Sequence, residues 1–201
     1  MKPNSPRTIV LGSTSPFRKQ ILEKLNIHFE TDKPEIDESA KQNETPSELV
    51  ERLAIEKAKA VAERWPDAIV IGSDQVAVHQ HQILGKPHTH ANAVKQLTSF
   101  SGDKVEFLTG LAVIDTKTNK TLSLVEPFSV HFKDLTSAEI ESYLLTEQPY
   151  NCAGSFKSEA LGVSLFELLV GDDPNTLVGL PLIKLVGLFR ELEFEVLLNQ
   201  K

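Results

Sequence analysis

Two short, unbroken apolar runs stand out along the chain, Ile9-Val10-Leu11 and Ala68-Ile69-Val70-Ile71, the pattern of strands buried on both faces. The first leads at once into Gly12-Ser13-Thr14-Ser15-Pro16. Ser15 is placed to N-cap a helix that opens on Pro16 and carries Ile21, Leu22 and Leu25 on its apolar side. Strand, small-residue turn and helix in that order leave unpaired N–H groups at the helix start, aimed at whatever sits above the strand. Thr45-Pro46-Ser47-Glu48 has capping-box spacing and predicts a second helix to about Glu63. Pro66 and Asp67 break the chain before the second apolar run.

Beyond it the pattern is more polar. Gln75 to Leu84 predicts a short hairpin leading to Gly85-Lys86-Pro87, and Ala91 to Phe100 a helix ended by Ser101-Gly102-Asp103. Lys104 to Asp115 and Thr121 to His131 predict a long antiparallel pair across the polar link Thr116-Lys117-Thr118-Asn119-Lys120. Thr136-Ser137-Ala138-Glu139 is another capping box, opening a helix to about Leu145. Val163 to Val170 predicts a strand, and Pro181 to Leu192 a closing helix with proline in its first turn. No internal repeat or low-complexity stretch interrupts this. Parallel-type βα units mixed with an antiparallel pair indicate α/β or α+β architecture.

Composition narrows the reading. With 201 residues, 40% apolar and 24% charged, the chain suits one sizeable domain or two tightly packed lobes. The balance of 21 Lys+Arg against 28 Asp+Glu gives −7, the wrong sign for a nucleic-acid binder. An anionic ligand must therefore find a local cluster of positive groups. The single cysteine, Cys152, excludes an intrachain disulfide and a Cys-based zinc cage, and fits a reducing compartment. The N-terminal run Met1-Lys2-Pro3-Asn4-Ser5-Pro6-Arg7 precedes an apolar stretch too brief for a signal-peptide core. Glu167 interrupts the best candidate for a membrane span, Leu161 to Val170. The expectation is a cytoplasmic protein with no membrane or nucleic-acid partner.

Ser13-x-Ser15-x-x-Arg18-Lys19 gathers two hydroxyls, a helix N-terminus and two cations within one turn. Such a site either holds anionic oxygens or is a well-capped helix with solvated cations. It is not a P-loop, because the Gly-x-x-x-x-Gly-Lys-Ser/Thr spacing is missing. On the second helix Val50, Leu53, Ala54 and Val61 form a stripe with Lys57 in its middle. A lysine there must snorkel, pair with an acid or contact a ligand. Asp74, in Gly72-Ser73-Asp74-Gln75, sits just past an apolar strand, where α/β sheets place ligands and reacting groups. It can bind a metal, take a proton from water, or simply cap the turn. Glu35, Asp37 and Glu38 form an acidic loop cluster, either solvated or with one member sharing a divalent cation with Asp74. His79-x-His81 and His88-x-His90 lack a third ligand, and Cys152 lacks a basic, helix-starting environment, so both read as structural.

Taken together, these segments resemble the Maf family of nucleoside triphosphate pyrophosphatases. The resemblance runs over nearly the whole chain, taken as one domain over residues 1–201. It rests on Gly12-Ser13-Thr14-Ser15-Pro16-Phe17-Arg18, Asp37-Glu38, Glu56-Lys57-Ala58, Gly72-Ser73-Asp74-Gln75-Val76 and Gly85-Lys86-Pro87. Further on come Cys152-Ala153-Gly154-Ser155-Phe156-Lys157-Ser158-Glu159 and Val178-Gly179-Leu180-Pro181. The resemblance implies an α/β fold with an elongated mixed sheet, helices on both sides and two lobes around a central cleft, often as a homodimer. It implies cleavage between the α- and β-phosphates of a small nucleotide with a divalent cation, Mg²⁺ or Mn²⁺. By motif position Asp74 would accept the proton of the attacking water, and Ser13, Arg18, Lys57 and Lys86 would hold the triphosphate. Glu38 would help Asp74 place the metal.

Three positions depart from the pattern of members selective for dTTP and UTP, which read Ser-x-Ser-Pro-Arg-Arg, then Asp-Thr, then a later Gln. Here those positions hold Phe17, Gln75 and Glu159, a set that resembles the subgroup acting on 7-methyl-GTP. N7-methylation makes guanine cationic, and a cationic π-system favours an aromatic face and a carboxylate over an arginine. Phe17 would stack on the base and Glu159 would accept hydrogen bonds from its N1–H and amino group. The alternatives are a pyrophosphatase for the canonical pyrimidine triphosphates dTTP, UTP and CTP, and a nucleotide-sensing regulator of septum formation, a process to which the family has been linked.

Overall fold

The computed structural model describes residues 7–201, so the N-terminal run Met1–Pro6 lies outside the described residues. In chain order the strands are β1 (Thr8–Gly12), β2 (Glu30–Asp32), β3 (Ala68–His79), β4 (Gln82–Leu84), β5 (Lys104–Asp115), β6 (Lys120–Phe132) and β7 (Phe166–Val170). The helices are α1 (Pro16–Glu23), α2 (Pro46–Ala62), α3 (His90–Phe100), α4 (Ser137–Glu147), α5 (Asn175–Val178) and α6 (Leu182–Glu191). The strands form one seven-stranded sheet in the order β2-β1-β3-β5-β6-β7, with β4 pairing β3 off that path. β1 runs parallel to both β2 and β3, whereas β4 and β7 pair antiparallel to their neighbours. The link between β5 and β6 is far too short for a parallel crossover, so these two neighbours form the expected hairpin. The architecture is mixed α/β.

Local signals account for most helix starts. Ser15 accepts the Arg18 N–H, and Thr45 with Glu48, like Thr136 with Glu139, completes a reciprocal capping box. Several boundaries depart from the sequence pattern. β3 does not stop at Gly72 but continues to His79, and its last residues form the expected hairpin with β4, Ala77 opposite Leu84, closed by Gln80 and His81 at positive φ. Residues 161–165 form a 3₁₀ turn, so the strand expected from Val163 starts at Phe166. Pro181 is the N-cap of α6 rather than a residue inside its first turn. β2 and α5 were not expected.

The chain divides into two compact units. Among the described residues, one comprises those up to Gln75 with 109–126 and 179–201, the other 76–108 and 127–178. In the first, Val10, Ala68, Val70, Ala112 and Ile114 pack with Ala54, Ala58 and Val61 of α2. The even-numbered strand residues thus face α2, as strand alternation requires. The second unit has an aromatic core: Phe132 and Phe156 lie 5.6 Å apart, and each meets Phe166 edge-on, at 5.5 Å and 5.0 Å. His79 and His90 are held in this unit by Asp103 and by Tyr150 with Glu141, as structural histidines.

Candidate active site

The close seat of α2 on the sheet sets the geometry. A Cβ at Gly72 would lie 2.1 Å from the Ala54 carbonyl oxygen, and one at Gly110 would lie 2.0 Å from that of Val50. Only hydrogen fits between helix and strand backbones there. Asp74, two residues beyond Gly72, turns to the same face, and Lys57 projects from the apolar stripe of α2 to meet it. Lys57 Nζ lies 2.6 Å from Asp74 Oδ1 and 3.0 Å from Glu38 Oε1. The lysine and aspartate side chains are 7% and 12% exposed and Glu38 is 59% exposed, so a buried ion pair is joined by a carboxylate open to solvent. Lys57 therefore pairs with acid instead of snorkelling. Of the acidic loop only Glu38 reaches it: Glu35 bridges Lys33 across 3.5 Å, and Asp37 accepts from Ser39, which holds its carboxyl below the usual range.

Asp74 does not lie past the end of its own strand, as the apolar pattern suggested, but inside β3. The strand end that matters belongs to β1. Its register with β3 finishes at Gly12 opposite Gly72, so Ser73 and Asp74 run on beyond it. At that end the chain turns into Ser13, Ser15 and α1. Ser13 is buried and its Oγ accepts the Ser15 N–H at 3.1 Å, while Ser15 Oγ accepts the Arg18 N–H at 3.4 Å. Both hydroxyls thus serve the helix start. The Arg18 side chain donates through Nε to the Gly179 carbonyl at 2.8 Å. Burial holds this guanidinium below its usual pKa, opposed by the nearby charges of Asp74 and Glu38. Phe17, on the first turn of α1, is 43% exposed. Gln75 donates to the buried Thr109 hydroxyl at 2.8 Å.

Lys86 and Glu159 belong to the second unit, and both are exposed. They share a neighbourhood there. Burial pushes the Cys152 thiol up, and the charges of Lys157, Glu159 and Lys86 all act on it. A cavity of about 930 Å³ lies instead beside Arg7, Thr8, Asp67 and Asp115, at the opposite end of β1 from Ser13, and contains none of the candidate residues.

Glu38 and Asp74 approach one ammonium from two directions, which is where a hard divalent cation would find oxygen donors. No group of three or more His, Cys, Asp or Glu side chains that could hold a metal occurs among the described residues. A pair of carboxylates completed by substrate phosphates suits Mg²⁺ or Mn²⁺ better than a site made wholly of protein. A base, two oxygen donors and two cations near a helix start can together activate water against a phosphoanhydride. Sequence reasoning missed Ser73 and gave Gly179 no role, although a hydrogen bond from the buried Ser73 hydroxyl to the Gly179 carbonyl, at 2.9 Å, backs this site.

A family model described as Maf-like protein matches residues 8–192. A protein of Colwellia psychrerythraea named 7-methyl-GTP pyrophosphatase is 61% identical, the match covering 96% of this chain and 97% of that one. One of the same name from Pseudoalteromonas translucida is 56% identical over 96% and 95% of the two chains. The solved structure of the Staphylococcus aureus Ham1 protein aligns with 64% of this chain and 73% of its own, at 15% identity and a TM-score of 0.44.

Proposed function

The chain belongs to the Maf family, and on that premise we propose that it hydrolyses 7-methyl-GTP to 7-methyl-GMP and pyrophosphate, as a single catalytic domain over residues 1–201. The observation that carries this reading is Asp74, buried beyond the end of β1 and held 2.6 Å from Lys57. A buried carboxylate fixed in place by a lysine ammonium is positioned to accept a proton from water. As the water oxygen bonds to the α-phosphorus, the bond from that phosphorus to the α,β-bridging oxygen breaks and pyrophosphate leaves. Ser13, Arg18, Lys57 and Lys86 would hold the polyphosphate and offset its charge, which the −7 protein otherwise repels.

Glu38 and Asp74 would hold a divalent cation, Mg²⁺ or Mn²⁺. When bound, such an ion supplies Lewis-acid stabilisation of the phosphoryl oxygens. Phe17, Gln75 and Glu159 would set the choice of base. The exposed ring of Phe17 and the exposed Glu159 carboxylate suit a cationic purine, for which an arginine in place of the ring would be repulsive. Relatives named for this substrate support the choice. We read the enzyme as cytoplasmic; among the described residues no helix is long and apolar enough to cross a membrane. A homodimer through the edge strand β7 is part of the same reading, since Leu168, Leu169 and Val170 stand exposed on it.

Initial rates on 7-methyl-GTP, GTP, UTP and dTTP with Mg²⁺ or Mn²⁺ test the proposal. The methylated nucleotide is expected to be cleaved fastest. A preference for UTP or dTTP would transfer the protein to the pyrimidine reading, and no pyrophosphate release from any of them would leave nucleotide sensing.

A further inference from the structure

The Gly179 carbonyl oxygen accepts two hydrogen bonds, from Arg18 Nε at 2.8 Å and from Ser73 Oγ at 2.9 Å. Those donors come from far apart in the chain, 161 and 106 residues away from Gly179. Ser73 is fully buried and covalently adjacent to Asp74. Alternation along β3 sends Asp74 toward α2 and Ser73 to the other face of the sheet. Both lone pairs of the carbonyl are engaged, which fixes it to β3 beside the proposed base.

Arg18 has no other side-chain hydrogen bond among the described residues, so Gly179 is its anchor. With Nε engaged, the plane of the guanidinium is set, and the Nη groups remain available as a fork for phosphate oxygens. Gly179 itself has φ +109°, which L side chains rarely adopt, and a Cβ there would lie 3.2 Å from Arg18 Nε. The backbone conformation that aims the carbonyl at both donors thus also keeps space clear beside the guanidinium.

We propose that Ser73 and Gly179 are positioning residues, which fix the Arg18 guanidinium relative to Asp74 through the one shared carbonyl. This rests on the reading of Arg18 as a polyphosphate ligand. Misplacing such a group by a fraction of an ångström acts mainly on the transition state, because proximity and alignment are what it contributes.

The test is a double-mutant cycle of Ser73→Ala and Arg18→Ala, read both as kcat and KM on 7-methyl-GTP and as the affinity for inorganic pyrophosphate by calorimetry. In the wild-type background Ser73→Ala is expected to lower kcat roughly tenfold or more with little change in KM, and to weaken pyrophosphate binding. Ser73→Thr, which retains the hydroxyl, is expected to recover most of both. In the Arg18→Ala background Ser73→Ala should have almost no further effect on either readout. An equal loss in both backgrounds would mark Ser73 as merely structural, and no loss in the wild-type background would remove its role; either result overturns the proposal. Failure of the wild type to hydrolyse any triphosphate would instead sink the functional reading, and the calorimetric cycle would then decide this one alone. Absence of pyrophosphate binding by the wild type would overturn it.

Discussion

The two units bear their candidate residues in opposite ways. In the first, Lys57 and Asp74 are buried and ion-paired, and Arg18 is anchored on a backbone carbonyl. In the second, whose core interlocks phenylalanines, Lys86 and Glu159 are exposed. The difference fits what each proposed task needs. Charge stabilisation and proton transfer gain from low dielectric and fixed geometry, so their groups are worth burying despite the desolvation cost. Contacts that select a base need only be reachable, and exposure leaves them free to vary without disturbing the core. On the proposed reading the buried Lys57–Asp74 pair serves the chemistry where backbones approach most closely, whereas Glu159 and the Phe17 ring select the base, and Lys86 reaches the polyphosphate, from exposed positions.

The sharpest way to break this contrast is Asp74→Asn. It removes the proposed proton acceptor, and turnover is expected to fall about a thousandfold while nucleotide binding survives, checked by steady-state rates beside calorimetry. Next comes Gly72→Ala, whose methyl group would overlap the Ala54 carbonyl. A loss of about 3 kcal/mol is expected in urea unfolding. Gly85→Ala is its control, since a Cβ there meets nothing within 4 Å, and the change should stay within about 0.5 kcal/mol.

On the exposed side, Glu159→Gln should fold normally and lower the ratio of kcat/KM for 7-methyl-GTP over UTP by about tenfold. An unchanged ratio would detach this residue from base recognition. The smallest effect concerns Asp115, far from the proposed chemistry. Arg7 grips its carboxylate with both terminal nitrogens and holds its pKa well below the usual carboxylate range. A depressed folded pKa gives stability that is present above the unfolded value near 3.9 and is lost as pH falls from there toward the folded value. Asp115→Asn should therefore lower the unfolding midpoint at neutral pH and converge with the wild type below about pH 4.

What the sequence disclosed follows the range of the forces involved. Capping is local, so Ser15, Thr45 and Thr136 announced three helices correctly. Lys57 was conspicuous because a charge in an apolar stripe needs a partner, and the structure supplies Asp74 and Glu38. β2 gave no signal: Glu30-Thr31-Asp32 is polar and mostly exposed, and becomes a strand only by pairing with β1. The continuation of β3 past Gly72 was hidden because polar Ser73, Asp74 and Gln75 interrupt the apolar run before Val76-Ala77-Val78 resumes it. The shared Gly179 carbonyl depends on two contacts across most of the chain, beyond the reach of any local pattern.

Hydrolysis of 7-methyl-GTP in ¹⁸O-labelled water, with mass spectrometry of both products, tests the proposed reaction most directly. Water activated by Asp74 and delivered to the α-phosphorus predicts label in 7-methyl-GMP and none in pyrophosphate. Label in pyrophosphate, or release of orthophosphate and 7-methyl-GDP, would contradict it.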